Sequence, residues 1–529
     1  MNPTIIPRLA YPTYDRLVAA MDWHIPDVFN MGVACADMAP PDAVALVTVD
    51  EEGRRSQATF GELSRWSDQL AAVLMARGVG RGDRIGIVAP QSLETGISHL
   101  ALWKLGAISL PLASLFGPDA LGYRLNDAGA RLALVSPENV AKVREASPDL
   151  ELVVFDDDFW SELLACEAVS PATTMADDPV FLIYTSGTTG PPKGALHAHR
   201  TLFGHLPAFE LFYEYAPQPD DVIWTPADWA WIGGLMDVLI PAWYHGMTVL
   251  TVPPGFEPHR AIDLMIEHQV TCAFLPPTAL KMMRAAGAGS SELQLRAIFT
   301  GGEPLGAEML SWAESNLGAR INEGYGQTEA NIVVGNCAST WPVKPGSMGR
   351  PIPGHAVAVL DDNGVGVVGE EGEIAVLGPD PVMMIGYWNQ PRATAEKYHG
   401  DWLLTGDIGV EDEDGYLWFV SRKDDVISSG GYRIGPGEIE DALMRHESVA
   451  MCAVVGIPDE IRGQVPAAFV VVKAGYRGSR ALASELQRLV RTRLAAHEVP
   501  RVIRFVAELP RTTTGKILRR ELRDTVHDV

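Results

Sequence analysis

The chain has 529 residues, of which 47% are hydrophobic and 21% charged, so we expect a globular protein of two or three domains. Asp and Glu (67) outnumber Lys and Arg (42), and the net charge of −25 argues against binding to nucleic acid or to an anionic membrane surface. The five cysteines form no Cys-x-x-Cys pair, which disfavours a zinc site or a disulfide framework.

The N-terminal segment, residues 1–17, lacks the apolar core and the small-residue cleavage site of a secretory signal. No stretch reaches 18 apolar residues, so we expect no membrane span. Unpaired cysteines are typical of reduced thiols. Together these features predict a cytoplasmic protein.

From about residue 80 onward, short apolar runs alternate with longer helical patterns. Asp83–Pro90 reads as a buried strand, and Ser92–Gly106 reads as the helix that follows it. Further strand-like runs are 131–137, 151–156, 180–184, 222–225, 247–252, 272–275 and 297–300. The alternation predicts a large α/β body with partly parallel sheets.

The pattern changes after about residue 350. Asn363-Gly364 and Asp414-Gly415 are hairpin turn signals, and they predict a β-rich subdomain over about 345–421 at the end of a large domain, 1–421. The polar segment Ser421–Asp425 is the candidate linker, with the hinge at 422–425. Strand-like runs 449–456 and 466–473 and a helix over about 479–496 then predict a small α+β domain, 426–529.

The segment Tyr184–Gly194, YTSGTTGPPKG, follows an apolar run and carries the strongest chemical signal. Two glycines free backbone N–H groups, four hydroxyls add donors, and Lys193 adds a positive charge, which together suit a phosphate group. It is not a Walker A loop, because Pro191 and Pro192 precede the lysine and Gly194 follows it.

This string resembles the phosphate loop of the adenylate-forming superfamily, which includes acyl-CoA synthetases, luciferases and peptide-synthetase adenylation domains. Further strings similar to those of the family occur in order, so the resemblance covers nearly the whole chain: Thr300–Leu305, Glu323–Glu329, Leu403–Asp407, Ser421–Glu438 and Pro510–Leu522. The resemblance implies a large N-terminal domain and a small, mobile C-terminal domain.

The resemblance also implies roles for individual residues. Tyr325 stacks on adenine, Thr328 contacts the α-phosphate, Glu329 holds Mg²⁺, and Asp407 and Arg422 contact ribose. The residues assigned in this way to ATP or AMP are Thr185, Ser186, Gly187, Thr188, Thr189, Lys193, Gly302, Glu303, Pro304, Glu323, Gly324, Tyr325, Gly326, Gln327, Thr328, Asp407, Arg422, Arg433 and Lys516. The implied catalytic residues are Lys516, Thr185 and Glu329.

The C-terminal strings imply a pivot at Asp424 between the domains and a coenzyme A site. The residues assigned to coenzyme A are Ser429, Gly430, Gly431 and Tyr432. Ser421 stands where many members carry glycine, a departure that leaves Arg422 in place. Acylation of Lys516 would neutralise its charge and switch the enzyme off.

The acyl pocket is assigned to Trp229, Trp231, Gly233, Gly301 and Gly326. Members restricted to acetate carry Trp where this chain has Gly326, so we expect an open channel and an acid larger than acetate. Medium-chain, branched and aryl acids all stay open. Trp229 is either a pocket residue or an ordinary core residue. His197 and His199 lack the spacing of a metal site and read as structural.

The implied reaction joins a carboxylic acid to coenzyme A through an acyl-adenylate, consuming ATP with Mg²⁺ and releasing pyrophosphate and AMP. Three alternatives stand beside it. The chain could load an acyl group onto a carrier protein supplied in trans, since none follows residue 529. It could perform a luciferase-type reaction with oxygen, or bind nucleotide without catalysis. The expected partners are small molecules, and a homo-oligomer is compatible with the sequence.

Overall fold

The fold is that of a computed structural model, which describes residues 3–9, 12–185, 191–302, 305–423, 425–429, 432–459, 463–493, 498–511 and 517–525. The described residues divide into two compact units. The first unit draws on residues 1–187, 191–357 and 376–403, and the second draws mainly on residues 358–375 and 404–529. These units are defined by compactness. The domains predicted from the sequence, 1–421 and 426–529, have other limits and stay predictions.

The described strands are short. They are β1 Val44–Val49, β2 Arg55–Thr59, β3 Arg84–Val88, β4 Ile108–Pro111, β5 Leu132–Val135, β6 Glu151–Val154, β7 Pro179–Thr185, β8 Lys193–Ala198, β9 Val222–Trp224, β10 Thr248–Thr251, β11 Cys272–Phe274, β12 Ala297–Gly301, β13 Arg320–Gln327, β14 Ala330–Gly335, β15 Arg350–Pro351, β16 Val357–Leu360, β17 Glu371–Leu377, β18 Gly386–Tyr387, β19 Tyr398–His399, β20 Trp402–Glu411, β21 Leu417–Arg422, β22 Ile427–Ser429, β23 Tyr432–Ile434, β24 Val449–Asp459, β25 Gly463–Val472 and β26 Val502–Phe505.

The described helices are α1 Tyr14–Ala20, α2 Met31–Ala36, α3 Phe60–Ala76, α4 Leu93–Lys104, α5 Pro118–Ala128, α6 Val140–Ala146, α7 Asp157–Ala165, α8 Thr201–Phe212, α9 Ile232–Gly234, α10 Ile240–Tyr244, α11 Pro258–Glu267, α12 Pro277–Ala286, α13 Ala307–Leu317, α14 Pro391–Ala395, α15 Pro436–Met444, α16 Arg480–Arg493 and α17 Arg519–Asp524. A π-helical turn, Leu235–Leu239, joins α9 to α10. Among the described residues, no helix combines the length and the apolar character that crossing a membrane requires.

Two large sheets lie in the first unit. One has the order β15-β14-β13-β12-β11-β9-β10-β1-β2, and the other has the order β18-β8-β7-β4-β3-β5-β6. Neighbouring strands from β13 to β1 in the first sheet, and from β7 to β6 in the second, run parallel. Strands β4 and β5 are buried at every position, as expected when a parallel sheet is covered on both faces.

The predicted strands and helices of this α/β body are confirmed. Each predicted apolar run between residues 83 and 300 forms a strand within two residues of its predicted limits. The helix predicted from Ser92 begins there, because the Ser92 hydroxyl accepts a hydrogen bond from the Thr95 N–H and caps the first turn. Local pattern was sufficient here because strand burial and helix capping act over a few residues.

The C-terminal part of the second unit is a small α+β structure, also as predicted. Its sheet has the order β23-β22-β25-β24, with β26 parallel to β25. Leu482, Leu486 and Val490 of α16 are buried in one core of this sheet. Leu522 of α17 is buried in a second core. Another sheet, β16-β17-β20-β19 with β21 paired to β20, has most of its residues in the second unit and contains the two predicted hairpins.

Candidate active site

The predicted phosphate loop connects two antiparallel strands, β7 and β8. Thr185 ends β7 directly opposite Lys193, which begins β8. Helix α5 holds both ends of the loop, because the Tyr184 hydroxyl donates to Asp127 Oδ2 (2.6 Å) and the Tyr123 hydroxyl donates to the Pro192 carbonyl (3.0 Å). These two hydrogen bonds fix the described ends of the loop, Tyr184 and Pro192, to α5.

A second hairpin carries the residues that resemble the adenine and metal segment. Strands β13 and β14 pair with Gln327 opposite Ala330, so Thr328 and Glu329 form the turn. The Thr328 carbonyl lies 2.8 Å from Nε2 of His197. A carbonyl only accepts, so Nε2 carries the proton. Burial lowers the pKa of His197 to about 3 and keeps the ring neutral. His197 therefore ties β8 to this turn, which is the structural role expected of it.

Tyr387 in β18 joins the two hairpins. Its ring lies 5.1 Å from Lys193 Nζ, and its hydroxyl donates to Glu329 Oε1. The Met384 N–H also donates to the Glu329 carbonyl, at 2.9 Å. Tyr387 thus contacts two charged residues from distant parts of the sequence, Lys193 through its ring and Glu329 through its hydroxyl. The sequence analysis missed Tyr387, because a lone Gly-Tyr-Trp string carries no chemical pattern.

Glu329 fits the role of a Mg²⁺ ligand. It is buried, Tyr387 occupies only Oε1, and no hydrogen bond to Oε2 comes from the described residues. The described residues contain no cluster of three or more Asp, Glu, His or Cys that could enclose a metal. Mg²⁺ commonly takes one or two carboxylates and completes its shell with substrate phosphates and water. One available carboxylate oxygen beside a phosphate loop suits that chemistry.

Glu323 begins the same segment and is half-buried. Strand pairing places Thr300 opposite Glu323 and Gly301 opposite Gly324, which brings the predicted Gly301 and Gly302 beside this strand. The Leu305 N–H donates to Glu323 Oε1 at 3.2 Å. Burial raises the pKa of Glu323 to about 7, more than the Leu305 hydrogen bond lowers it.

Gly326 lies where two strands approach each other closely. A Cβ on Gly326 would overlap the backbone nitrogen of Ile332 in β14, so these strand positions leave no room for a side chain there. Ile332 itself has a φ of +55°, which is strained for a β-branched residue. The close approach of β13 and β14 explains the glycine at this position, and the acyl channel expected there stays a prediction.

The segment 227–234 gives different environments to the predicted acyl residues. Trp229 is fully buried and packs edge-on to Trp243 with ring centroids 6.5 Å apart, an environment that favours a core residue. Trp231 is half-buried and packs edge-on to Phe116 at 5.6 Å. Gly233 is half-buried, and the Phe274 ring lies 3.1 Å from the position that a Cβ would take.

In the second unit, Asp407 and Arg422 form an ion pair. They are register partners in β20 and β21, and Asp407 Oδ1 lies 2.8 Å from Arg422 Nη1. The Asp407 N–H donates to the Thr405 hydroxyl at 3.1 Å, which fixes the strand at this point. The structure thus brings together the two residues that the resemblance assigns to ribose.

A half-buried charge network surrounds helix α17. Arg519 donates two hydrogen bonds to the Glu440 carboxylate, each of 2.8 Å, and lies 3.6 Å from Asp425 Oδ2. Arg523 also pairs with Asp425. Asp425 follows the predicted pivot residue, and Arg519 lies three residues after the predicted catalytic lysine. The network ties these two chain segments together.

Several predicted residues lie outside the described part of the chain. They are Ser186, Gly187, Thr188, Thr189, Glu303, Pro304, Asp424, Gly430, Gly431 and Lys516. Tyr432 and Arg433 are described as backbone of β23, where Ser429 pairs with Tyr432 and Ser428 pairs with Arg433. Ser429 is buried and its hydroxyl has no partner in the described structure.

Residues 34–388 match the model of the AMP-binding enzyme family, and residues 438–516 match its C-terminal domain. The chain belongs to the AMP-binding enzyme family.

Several similar proteins of this family are named as acyl-CoA ligases or acyl-CoA synthetases. It is 35% identical to the uncharacterized acyl–CoA ligase YtcI of Bacillus subtilis, over 90% of this chain and 92% of that one. It is 36% identical to the human mitochondrial acyl-coenzyme A synthetase ACSM4, over 92% and 87% of the two chains. It is 33% identical to an acetyl-coenzyme A synthetase of B. subtilis, over 91% and 87%.

Solved structures agree. The structure of a benzoate CoA ligase from Burkholderia xenovorans is 28% identical, with a TM-score of 0.83, and the alignment covers 94% of this chain and all of that one. This AMP-binding enzyme is accordingly an acid–thiol ligase of the AMP-forming acyl-CoA synthetase class, and the predicted fold class and superfamily are confirmed.

Proposed function

We propose that the enzyme converts a carboxylic acid larger than acetate, ATP and coenzyme A into acyl-CoA, AMP and pyrophosphate through an acyl-adenylate. The benzoate CoA ligase with the same fold supports a larger acid. One relative is named for acetate, so acetate belongs among the acids to be tested. A cytoplasmic location and control by acylation of Lys516 stay predictions.

The observation that carries this proposal is the position of Tyr387. It holds Glu329 by a hydrogen bond and lies under Lys193, and these two residues come from the two hairpins that resemble the phosphate and metal segments. A positive charge and a hard oxygen ligand at one place suit a triphosphate with its Mg²⁺. A protein that bound an uncharged ligand would gain nothing from this pairing.

In the first half-reaction, the acid's carboxylate oxygen attacks the α-phosphorus of ATP, and the bond to pyrophosphate breaks. Negative charge develops on the α-phosphoryl oxygens and on the leaving group, so the protein's task is to position and neutralise. Mg²⁺ bound at Glu329 would supply neutralising charge. Lys193, Thr185 and Lys516 would donate to phosphate oxygens, and Glu323 and Tyr325 would border the base.

In the second half-reaction, the sulfur of coenzyme A attacks the acyl carbonyl and AMP leaves. Adenylate binding must persist through this step, and the Asp407–Arg422 pair is suited to hold the ribose throughout. Residues 429–432 are assigned to coenzyme A on the resemblance of the string that contains them. A pivot at Asp424 would let one small domain serve both half-reactions.

The test is pyrophosphate release from purified protein with ATP and Mg²⁺, using acids from acetate to decanoate together with benzoate and branched acids, with and without coenzyme A. Continuous turnover that requires coenzyme A, with formation of the matching thioester, is expected. A single burst of pyrophosphate without turnover would contradict the proposal and indicate another acyl acceptor, such as a carrier protein. No pyrophosphate from any acid would indicate nucleotide binding without catalysis.

A further inference from the structure

A buried carboxyl group lies beside the predicted acyl segment and has no part in the chemistry described so far. Asp237 occupies the π-helical turn Leu235–Leu239, four residues after Gly233, and only 6% of its surface is exposed. Single π-helical turns within helices occur frequently at functional sites, because the wider turn redirects one side chain. The surroundings of this carboxyl therefore decide what it does.

One oxygen of Asp237 is held by a chain of hydrogen bonds whose proton positions can be derived. His205 Nδ1 lies 2.7 Å from the Thr201 carbonyl, so Nδ1 carries the proton and Nε2 accepts. Burial lowers the pKa of His205 to about 4, which keeps the ring neutral. The Asn331 amide donates one proton to His205 Nε2 (3.1 Å) and the other to Asp237 Oδ1 (2.6 Å). Both amide protons are thereby used.

The second oxygen, Oδ2, receives no hydrogen bond from any described residue. It lies 3.5 Å from the position that a Cβ on Gly233 would take. Because residue 233 is glycine, the space between Oδ2 and the Phe274 ring is left without a side chain. Burial also raises the pKa of Asp237 well above its usual range, which favours the protonated carboxyl, and in that form Oδ2 can donate a hydrogen bond.

The ring beside Gly233, that of Phe274, belongs to an aromatic stack. Phe274 stacks on Phe299 with ring centroids 4.9 Å apart, and Phe299 stacks on Phe212 at 4.6 Å. Asp237 Oδ2 is not among the fully buried atoms that lack a partner, so water can reach it in the free enzyme. A ligand that displaced this water would have to replace its hydrogen bond, which a hydroxyl or amino group can do and a purely hydrocarbon ligand cannot. This asymmetry is the physical basis for selecting a substituted acid.

We propose that Asp237 is a specificity-determining residue and that the enzyme prefers acids carrying a hydroxyl or amino group on the hydrocarbon part. The substituent's oxygen or nitrogen would accept the Asp237 Oδ2 proton in the space beside Gly233. This inference rests on the proposed function, since it names the class of acid used at that site.

The experiment compares kcat/KM within matched pairs of acids. Benzoate is paired with its 2-, 3- and 4-hydroxy and amino derivatives, and hexanoate with its 4-, 5- and 6-hydroxy derivatives. In the wild-type enzyme, at least one substituted acid should exceed its parent by about tenfold, which is the effect of one well-placed hydrogen bond. In Asp237→Leu that ratio should fall to one or below, and Asp237→Asn, which can still form a hydrogen bond, should retain part of it.

Tyr213→Phe is the matched control, because its hydroxyl donates to the Asp237 backbone carbonyl (3.1 Å) and not to the carboxyl. Its ratio should equal that of the wild type. Ratios within one variant are independent of how much enzyme is folded. Parent acids that outperform every substituted acid, or a ratio unchanged in Asp237→Leu, would overturn this inference while the proposed function stands. Absence of thioester from all acids would overturn both.

Discussion

Glu323 is a residue whose burial makes a measurable prediction about pH. Its pKa is raised to about 7 from an ordinary value of 4.5, so the folded protein keeps this proton between those pH values while the unfolded chain releases it. Stability from this residue is complete below pH 4.5 and is lost as the pH rises toward 7. In Glu323→Gln the side chain is neutral at every pH, so that loss is absent.

We therefore expect the melting temperature of ligand-free Glu323→Gln to rise relative to that of the wild type as the pH increases from 5 to 8. Thermal unfolding of the two proteins at several pH values measures this difference, and each protein serves as the other's reference. A constant offset between the two curves would show that Glu323 does not titrate in this range.

The contacts of Tyr387 allow a second prediction about a single residue. Tyr387→Phe keeps the ring beside Lys193 and removes only the hydroxyl that donates to Glu329. Groups that orient a metal ligand typically contribute 10- to 100-fold to metal affinity or activity. The Mg²⁺ concentration for half-maximal pyrophosphate release should therefore rise by about tenfold, while the rate at saturating Mg²⁺ changes less. An equal fall in rate at every Mg²⁺ concentration would contradict this role.

The elements of the C-terminal part depend on a few buried charges. Helix α17 has only six residues, too few to be stable by itself, and Arg519 fastens it to Glu440 of α15. Burial raises the pKa of Glu440 more than Arg519 lowers it, so this carboxylate depends on its partner. Removing one member of a fully buried pair commonly costs about 3–5 kcal/mol, and we expect this half-buried pair to lie at the lower end of that range.

Arg519→Gln should accordingly lower the free energy of unfolding of this part by about 3 kcal/mol and speed its cleavage by protease. Arg520→Gln is the matched control, since Arg520 is the next residue and is exposed. Native-state hydrogen exchange of β24 and β25 would measure the effect directly. Equal protection in the two variants would show that the Arg519–Glu440 pair contributes no net stability.

At the scale of the whole molecule, the proposed chemistry uses residues from both ends of the chain. Lys516→Ala should lower the rate of acyl-adenylate formation by about 10²–10³. Thioester formation from a supplied acyl-adenylate and coenzyme A should stay largely intact, because AMP leaves without further phosphoryl transfer. Measuring both half-reactions in one preparation provides the control. Comparable losses in both would contradict the role assigned to Lys516.

The sequence alone determined the class of this protein, because its phosphate-loop string and the later strings are each local and continuous. It also determined most strands, since burial of a short parallel strand is visible as an apolar run. It could not determine that Gly326 faces Ile332, because the meaning of that glycine lies in a neighbouring strand. Nor could it decide whether Trp229 is a core residue.

Only the tertiary structure brought Tyr387 to Glu329, and Asp237 to Asn331. Those contacts join residues separated by 58 and 94 positions, across connections that local pattern does not specify. Strings that bind phosphate can be recognised from the order of their residues. The polarity of an acyl site depends on which side chains packing leaves without a partner, and that is decided in three dimensions.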